Sequence, residues 1–310
     1  MRLPNFFLVG VAKAGTTSLY RYLREHPQVY MSPIKGPTFF GAADLLLEPH
    51  RDVMLEELAC HRAALRAYLD GPQELSAEHF VLNWDDYVCL FRDVRDELAV
   101  GEASTGYFWL PSAAATIRAT LPDARIAVML RDPAERLFSL YLTTLRAEPG
   151  VTFRAWFEAT LAEPRRRAVG VEPGRYATHL ERFFDLFPSN QLRVYLYEDY
   201  RADARAVLRD LFAFLGVNPD YPIDVSRRYN ETTVPRFPRL HALRQRVFGV
   251  SSPTRWLPAR ARRAMRRLYH MRPTGRGMDP VDRHAVIDYH RDEIVRTARL
   301  LGRDLTAWLR

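Results

Sequence analysis

The stretch FFLVGVAKAGTTSLYRYL, Phe6 to Leu23, constrains the fold more than any other part of the chain. Phe6 to Val11 is a short apolar run punctuated by Gly10, the pattern of a strand buried on both faces. Thr16 or Thr17 can cap a helix running from Ser18 to about Glu25, which His26-Pro27 stops. A strand, a glycine loop and a helix start together aim backbone N–H groups and a helix dipole at an anion. The spacing approaches GxxxxGK[ST], in which a lysine directly after the second glycine reaches the terminal phosphates. Here Thr16 takes that place, and Lys13 stands two residues before Gly15. The loop is thus expected to hold a phosphate-like group with its positive charge displaced. A loop that merely turns the chain would leave Lys13 and the run Thr16-Thr17-Ser18 without a reason.

Beyond the loop, strands and helices alternate. Strands are expected at 28–31, 98–104, 125–130 and 192–198, and helices at 50–70, 84–96, 112–120, 133–146, 152–162, 175–187 and 203–215, the last ended by Gly216. Such alternation argues for an α/β chain, with a central parallel sheet flanked by helices. The last hundred residues show no strand pattern; they read as the irregular SRRYNETTVPRFPRL followed by three helices. With 310 residues the chain can bury one large core. The organisation expected is a single domain over 1–310, with an α/β core at 1–235 and a helical C-terminal extension at 236–310.

The net charge of +8 permits nucleic acid, anionic lipid or anionic small molecules as partners without choosing among them. The kind of cation says more. Of the 45 Lys and Arg residues only two are lysine, Lys13 and Lys35. Arginine has replaced lysine almost everywhere, and the two residues differ where a compact charge must approach a phosphoryl or sulfuryl oxygen. Both lysines fall in the first 35 residues, one of them inside the loop. Cys60 and Cys89 lack metal or redox spacing, and the short apolar run at the N-terminus is neither a span nor a signal peptide. Reduced thiols in a cytoplasmic protein are expected. The segment 255–278 carries eight arginines, which read first as a solvated basic face and second as a contact with an anionic surface or acidic substrate.

GVAKAGTTSLYRYLREHPQV, RDPAERLFSLYL, GEASTGY and LYEDYRADARAVLRDLFAFLGV resemble the sulfotransferases that use 3′-phosphoadenosine 5′-phosphosulfate (PAPS). The nearest likeness is to a bacterial carbohydrate and small-molecule branch related to the heparan sulfate enzymes. It covers about residues 5 to 235, with a weaker echo in LLGRDLTAWL. The resemblance implies a P-loop-like fold, PAPS as donor, no metal, and a hydroxyl or amine acceptor on a small molecule, lipid or carbohydrate rather than nucleic acid. It assigns the 5′-phosphosulfate to Lys13, Ala14, Gly15, Thr16, Thr17 and Ser18, and the 3′-phosphate to Arg131 with Ser139. Arg228 and Arg236 fall in a loop expected to cover the nucleotide, and Tyr176 at a position that flanks the substrate cleft or packs a helix. Lys13 would meet the charge that grows on the bridging oxygen as the sulfuryl group leaves, a contact stronger in the transition state than in the ground state.

The second lysine exposes a departure. Where the family has Lys-Glu-Pro-His-Phe-Phe, with that glutamate as general base, this chain has Lys35, Gly36, Pro37, Thr38, Phe39 and Phe40. Three readings stay open: a base from elsewhere, an acceptor needing little deprotonation, or a protein that binds PAPS and transfers poorly. Glu102 is the candidate replacement, with a structural carboxylate as its equal alternative; His26, His50, His61 and His79 are unplaced. Catalytic work is thus expected of Lys13, Lys35 and Glu102. A kinase-like nucleotide enzyme is the rival class, disfavoured because no lysine follows Gly15.

Overall fold

The apolar run at the N-terminus forms the middle of the sheet. The computed structural model describes residues 2–47, 80–145, 150–226, 234–235, 270–271 and 277–310. Strand β1 (Phe6–Gly10) is buried at every position. It lies between β3 (Ala99–Ala103) and β4 (Arg125–Leu130), with β2 (Val29–Met31) and β5 (Leu192–Leu196) at the edges. All four pairings are parallel, so the order is β2-β3-β1-β4-β5. A strand covered on both faces needs apolar side chains on both sides of the pleat, which is why β1, β3 and β4 read as runs rather than alternations.

Helix α1 (Thr16–Glu25) follows β1 directly. The chain then adds α2 (Ala42–Leu45), α3 (Trp84–Cys89), α4 (Ala113–Thr120), α5 (Pro133–Thr144), α6 (Phe153–Ala162), α7 (Pro164–Gly170) and α8 (Tyr176–Leu186). After β5 come α9 (Tyr197–Ala202), α10 (Ala204–Leu215) and α11 (Pro280–Leu301). Asp132 caps α5 by accepting from Ala134 N at 2.8 Å and Glu135 N at 3.2 Å, with Pro133 as its first residue. The main core gathers around the sheet and takes in Ile294 of α11 with Leu305 and Trp308 beyond it. A second cluster joins α5, α6 and α11 through Leu137, Tyr141, Phe153, Trp156, Val286 and Ile287. The C-terminal helix is therefore packed into both cores.

Several elements differ from expectation. α1 begins at Thr16 with left-handed Gly15 as its N-cap and no side-chain cap, so neither threonine caps it. Both lie in the first turn instead. α3 ends at Cys89, well short of residue 96. β5 stops at Leu196 because Tyr197 starts α9. α7 was not expected, although Glu163-Pro164 is a start signal: Glu163 accepts from Arg165 N and Arg166 N at 3.0 and 2.8 Å. The strand-free C-terminal region is also corrected, since β6 (Val234–Pro235) pairs antiparallel with β7 (His270–Met271). The pairing joins segments far apart in sequence, which no local pattern reveals. The helix expected at 50–70 lies outside the described residues, as does nearly all of the arginine-rich 255–278.

Candidate active site

The loop after β1 leaves the sheet abruptly. Pairing of β1 with β4 slips between Leu8 and Gly10, and Val11 N–H donates to Met129 O at 2.7 Å. Two left-handed residues then turn the chain, Lys13 at φ 72 and Gly15 at φ 88. A lysine is rarely held there, since its Cβ crowds the backbone at a cost of about 1 kcal/mol. Gly15 suits its φ of 88, and a Cβ there would lie 3.1 Å from the Tyr197 ring, a tight contact that the ring would have to ease. Within the loop Ala14 N–H donates to Val11 O at 3.1 Å and Ser18 N–H to Gly15 O at 3.0 Å. Thr16 and Ser18 are buried, while Gly15 and Thr17 are half-buried.

Arg131, at the end of β4, closes against this loop. Its Nη1 donates to Lys13 O at 2.9 Å and its Nη2 to Glu135 Oε2 at 3.2 Å. The guanidinium sits over the Tyr197 ring, 4.7 Å from its centre. Lys13 Nζ donates to Thr143 Oγ1 at 2.7 Å, and Thr143 Oγ1 donates to Ser139 O at 3.0 Å. Ser139 and Thr143 share one face of α5, a turn apart. Lys13, the glycine turn, Arg131 and Ser139 thus meet at the C-terminal edge of the parallel strands, where open α/β sheets bind ligands. Thr143 and Tyr197 belong to this group and were not singled out from sequence. Their signals were the four-residue spacing from Ser139 and the position of Tyr197 immediately after a strand.

Tyr176 is wholly buried, and its hydroxyl donates to Arg131 O at 2.7 Å. It fixes the arginine backbone and does not line a cleft, which settles its two readings in favour of packing. His26 is also buried, between the rings of Phe212 and Tyr221 at 4.7 Å each, with Nδ1 accepting from Gln28 N. Arg228, Arg236, His50, His61 and His79 lie outside the described residues.

The segment Lys35–Phe40 follows β2. Gly36 has φ 82 and Thr38 φ 53, and Thr38 Oγ1 donates to Gly36 O at 3.1 Å. Lys35 is half-buried and Thr38 buried. Glu102, on β3, is 0% exposed, leaving no surface for an acceptor to reach. It accepts from the hydroxyls of Tyr87 and Tyr107 at 2.8 Å each and from Ser104 at 2.7 Å. Burial pushes its carboxyl up to about 7, against the pull of those three hydrogen bonds. This placement contradicts direct proton abstraction by Glu102 and favours its structural reading. Among the described residues no group of His, Cys, Asp and Glu could hold a metal ion, and no helix is long and apolar enough to cross a membrane.

Comparison with known proteins gives one consistent answer. A family model described as the sulfotransferase family matches residues 4–221. Human bifunctional heparan sulfate N-deacetylase/N-sulfotransferase 3 is 25% identical over 323 residues, an alignment covering 100% of this chain and 31% of that protein. Human carbohydrate sulfotransferase 15 is 27% identical, with 70% of this chain and 44% of that protein covered. The chain therefore spans about a third to under half of the length of these curated relatives. The crystal structure of a sulfotransferase from Alicyclobacillus acidocaldarius superposes with a TM-score of 0.69 at 29% identity, over the full length of both chains.

Proposed function

Because this chain belongs to the sulfotransferase family, we propose that it moves the sulfuryl group of PAPS to a hydroxyl or amine and releases adenosine 3′,5′-bisphosphate. The observation that carries the reading is the convergence of Lys13, Arg131 and the left-handed glycine turn on one sheet edge. The turn and the start of α1 cradle the 5′-phosphosulfate, with Thr16, Thr17 and Ser18 beside it. Arg131, steadied on Tyr197, takes the 3′-phosphate with Ser139, displacing Glu135 from one arm of its fork. Arg228 and Arg236 remain part of this proposal as further contacts to the nucleotide.

Transfer runs in line. Lys13 Nζ exchanges Thr143 for the bridging oxygen as negative charge gathers there. Lys35 faces the developing charge from the acceptor side. Lys13, Lys35 and backbone dipoles meet the charge of one phosphosulfate, so the proposed reaction needs no metal. The names of the relatives support a carbohydrate acceptor, and the two cysteines without redox spacing fit a reduced, cytoplasmic setting.

Calorimetry tests the donor site. Adenosine 3′,5′-bisphosphate is expected to bind without added metal, much more tightly than ATP with Mg²⁺. Arg131→Ala should weaken it by roughly 2–4 kcal/mol, because a charge-assisted contact is lost and a phosphate is left unpaired. Equal affinity for adenosine 5′-phosphosulfate, which lacks the 3′-phosphate, would overturn the role of Arg131.

A further inference from the structure

Glu102 has no access to an acceptor, yet its surroundings tie it to the acceptor side of the site. A carboxylate can only accept hydrogen bonds. Tyr87, Tyr107 and Ser104 each have one hydroxyl proton, and each donates it to Glu102, at 2.8, 2.8 and 2.7 Å. Their remaining capacity is therefore to accept. Ser104 Oγ accepts from Thr38 N at 3.0 Å, and Tyr107 Oη accepts from Phe40 N at 3.2 Å. Both donors are backbone amides of the segment Lys35–Phe40, which is held in left-handed geometry at Gly36 and Thr38. Tyr87 braces the same segment from the other side, its ring stacked on Phe39 at 4.7 Å and 22°.

The geometry points to Glu102 as a positioning residue, whose acceptor-only carboxylate sets the direction of a relay through Ser104 and Tyr107 that fixes the Lys35–Phe40 segment. The claim deepens the proposed function and rests on the reading of that segment as the acceptor side. It explains why a carboxylate is kept in a buried site roofed by aromatic rings. In Glu102→Gln the neutral amide would present an N–H₂ to one of the hydroxyls, which would then receive from both sides and have nowhere buried to send its proton. The titratable groups that face Glu102 are Tyr87 of α3 and Tyr107 of the turn after β3, both pushed well above the usual tyrosine range by burial, so they stay neutral donors.

Amide hydrogen exchange on the full chain, read at Thr38 and Phe40, tests the relay without an acceptor. Glu102→Gln is expected to raise exchange across Lys35–Phe40 at least tenfold, with β1 and β4 unchanged and binding of adenosine 3′,5′-bisphosphate within twofold. Ser104→Ala, which leaves the carboxylate in place, should free Thr38 alone, and serves if Glu102→Gln fails to fold. Unchanged protection of Thr38 in Ser104→Ala, or exchange rising equally throughout the sheet in Glu102→Gln, would overturn the proposal. Failure of the unaltered chain to bind the nucleotide would instead overturn the sulfotransferase reading and leave the exchange result standing.

Discussion

Lys13 combines two unusual properties: it is one of two lysines among 45 basic residues, and it occupies the left-handed region at φ 72. Backbone geometry held away from its ordinary range is a mark of a functional turn. Its ammonium donates to Thr143 Oγ1 at 2.7 Å. Lys13→Arg keeps the charge but widens it and changes its reach. The variant is expected to bind adenosine 3′,5′-bisphosphate within a few-fold and to transfer about a hundredfold more slowly, since an ångström of misplacement is costly in the transition state. Calorimetry and single-turnover transfer from PAPS separate the two effects. Near-normal turnover would mean that the lysine survives by accident of codon usage. Gly36 poses the complementary problem. Its φ of 82 lies in the region that glycine adopts without strain.

At the scale of elements, the sheet is held by a few close approaches. Gly101 of β3 pairs directly with Phe6 of β1, and the Phe6 ring lies across it where a Cβ would stand. Phe6 is buried among the core side chains and has no room to withdraw. Gly101→Ala should therefore cost about 1–3 kcal/mol through overpacking, read as a lower denaturation midpoint in urea with an unchanged slope. A midpoint that does not move would show that the ring can shift. The start of α1 obeys a similar constraint. Left-handed Gly15 turns the chain under Tyr197, and the helix begins one residue later without any side-chain cap.

For the whole molecule, buried histidines set the response to acid. Burial holds His179 at about 4 and His290 at about 3, below the ordinary value of 6.5. In each case the unfolded chain takes up a proton first, so the stabilising contribution is present above 6.5 and is lost as pH falls toward 4. Glu102, raised to about 7, acts oppositely: its contribution is present below 4.5 and is lost as pH rises through 7. Between pH 6.5 and 4.5 these two histidines, joined by His26, which burial also lowers, oppose Glu102 and Glu198, both of which burial raises, and the larger histidine share should make stability fall on acidification. Neither ring nitrogen of His290 has a hydrogen-bond partner among the described residues. His290→Leu should then keep stability at pH 7 and make the fall toward pH 5 shallower, as measured by urea unfolding at pH 5, 6 and 7. A loss above about 2 kcal/mol at pH 7 would mean that the ring has a partner after all.

Local sequence was enough for the strand–loop–helix at Phe6 to Glu25 and for the strands of the central sheet. Those features are written in short windows: apolar runs, glycine spacing, Pro133 at a helix start. What sequence left level was the work of Glu102 and Tyr176, because each depends on groups distant along the chain. Tyr176 meets Arg131 across 45 positions, and Ser104, itself bonded to Glu102, meets Thr38 across 66. A carboxylate in a strand is the same letter whether it faces solvent or three hydroxyls. Only the packing of α3, the turn after β3 and the Lys35–Phe40 segment decides that Glu102 is closed off, and burial then raises its carboxyl while those hydroxyls supply its partners.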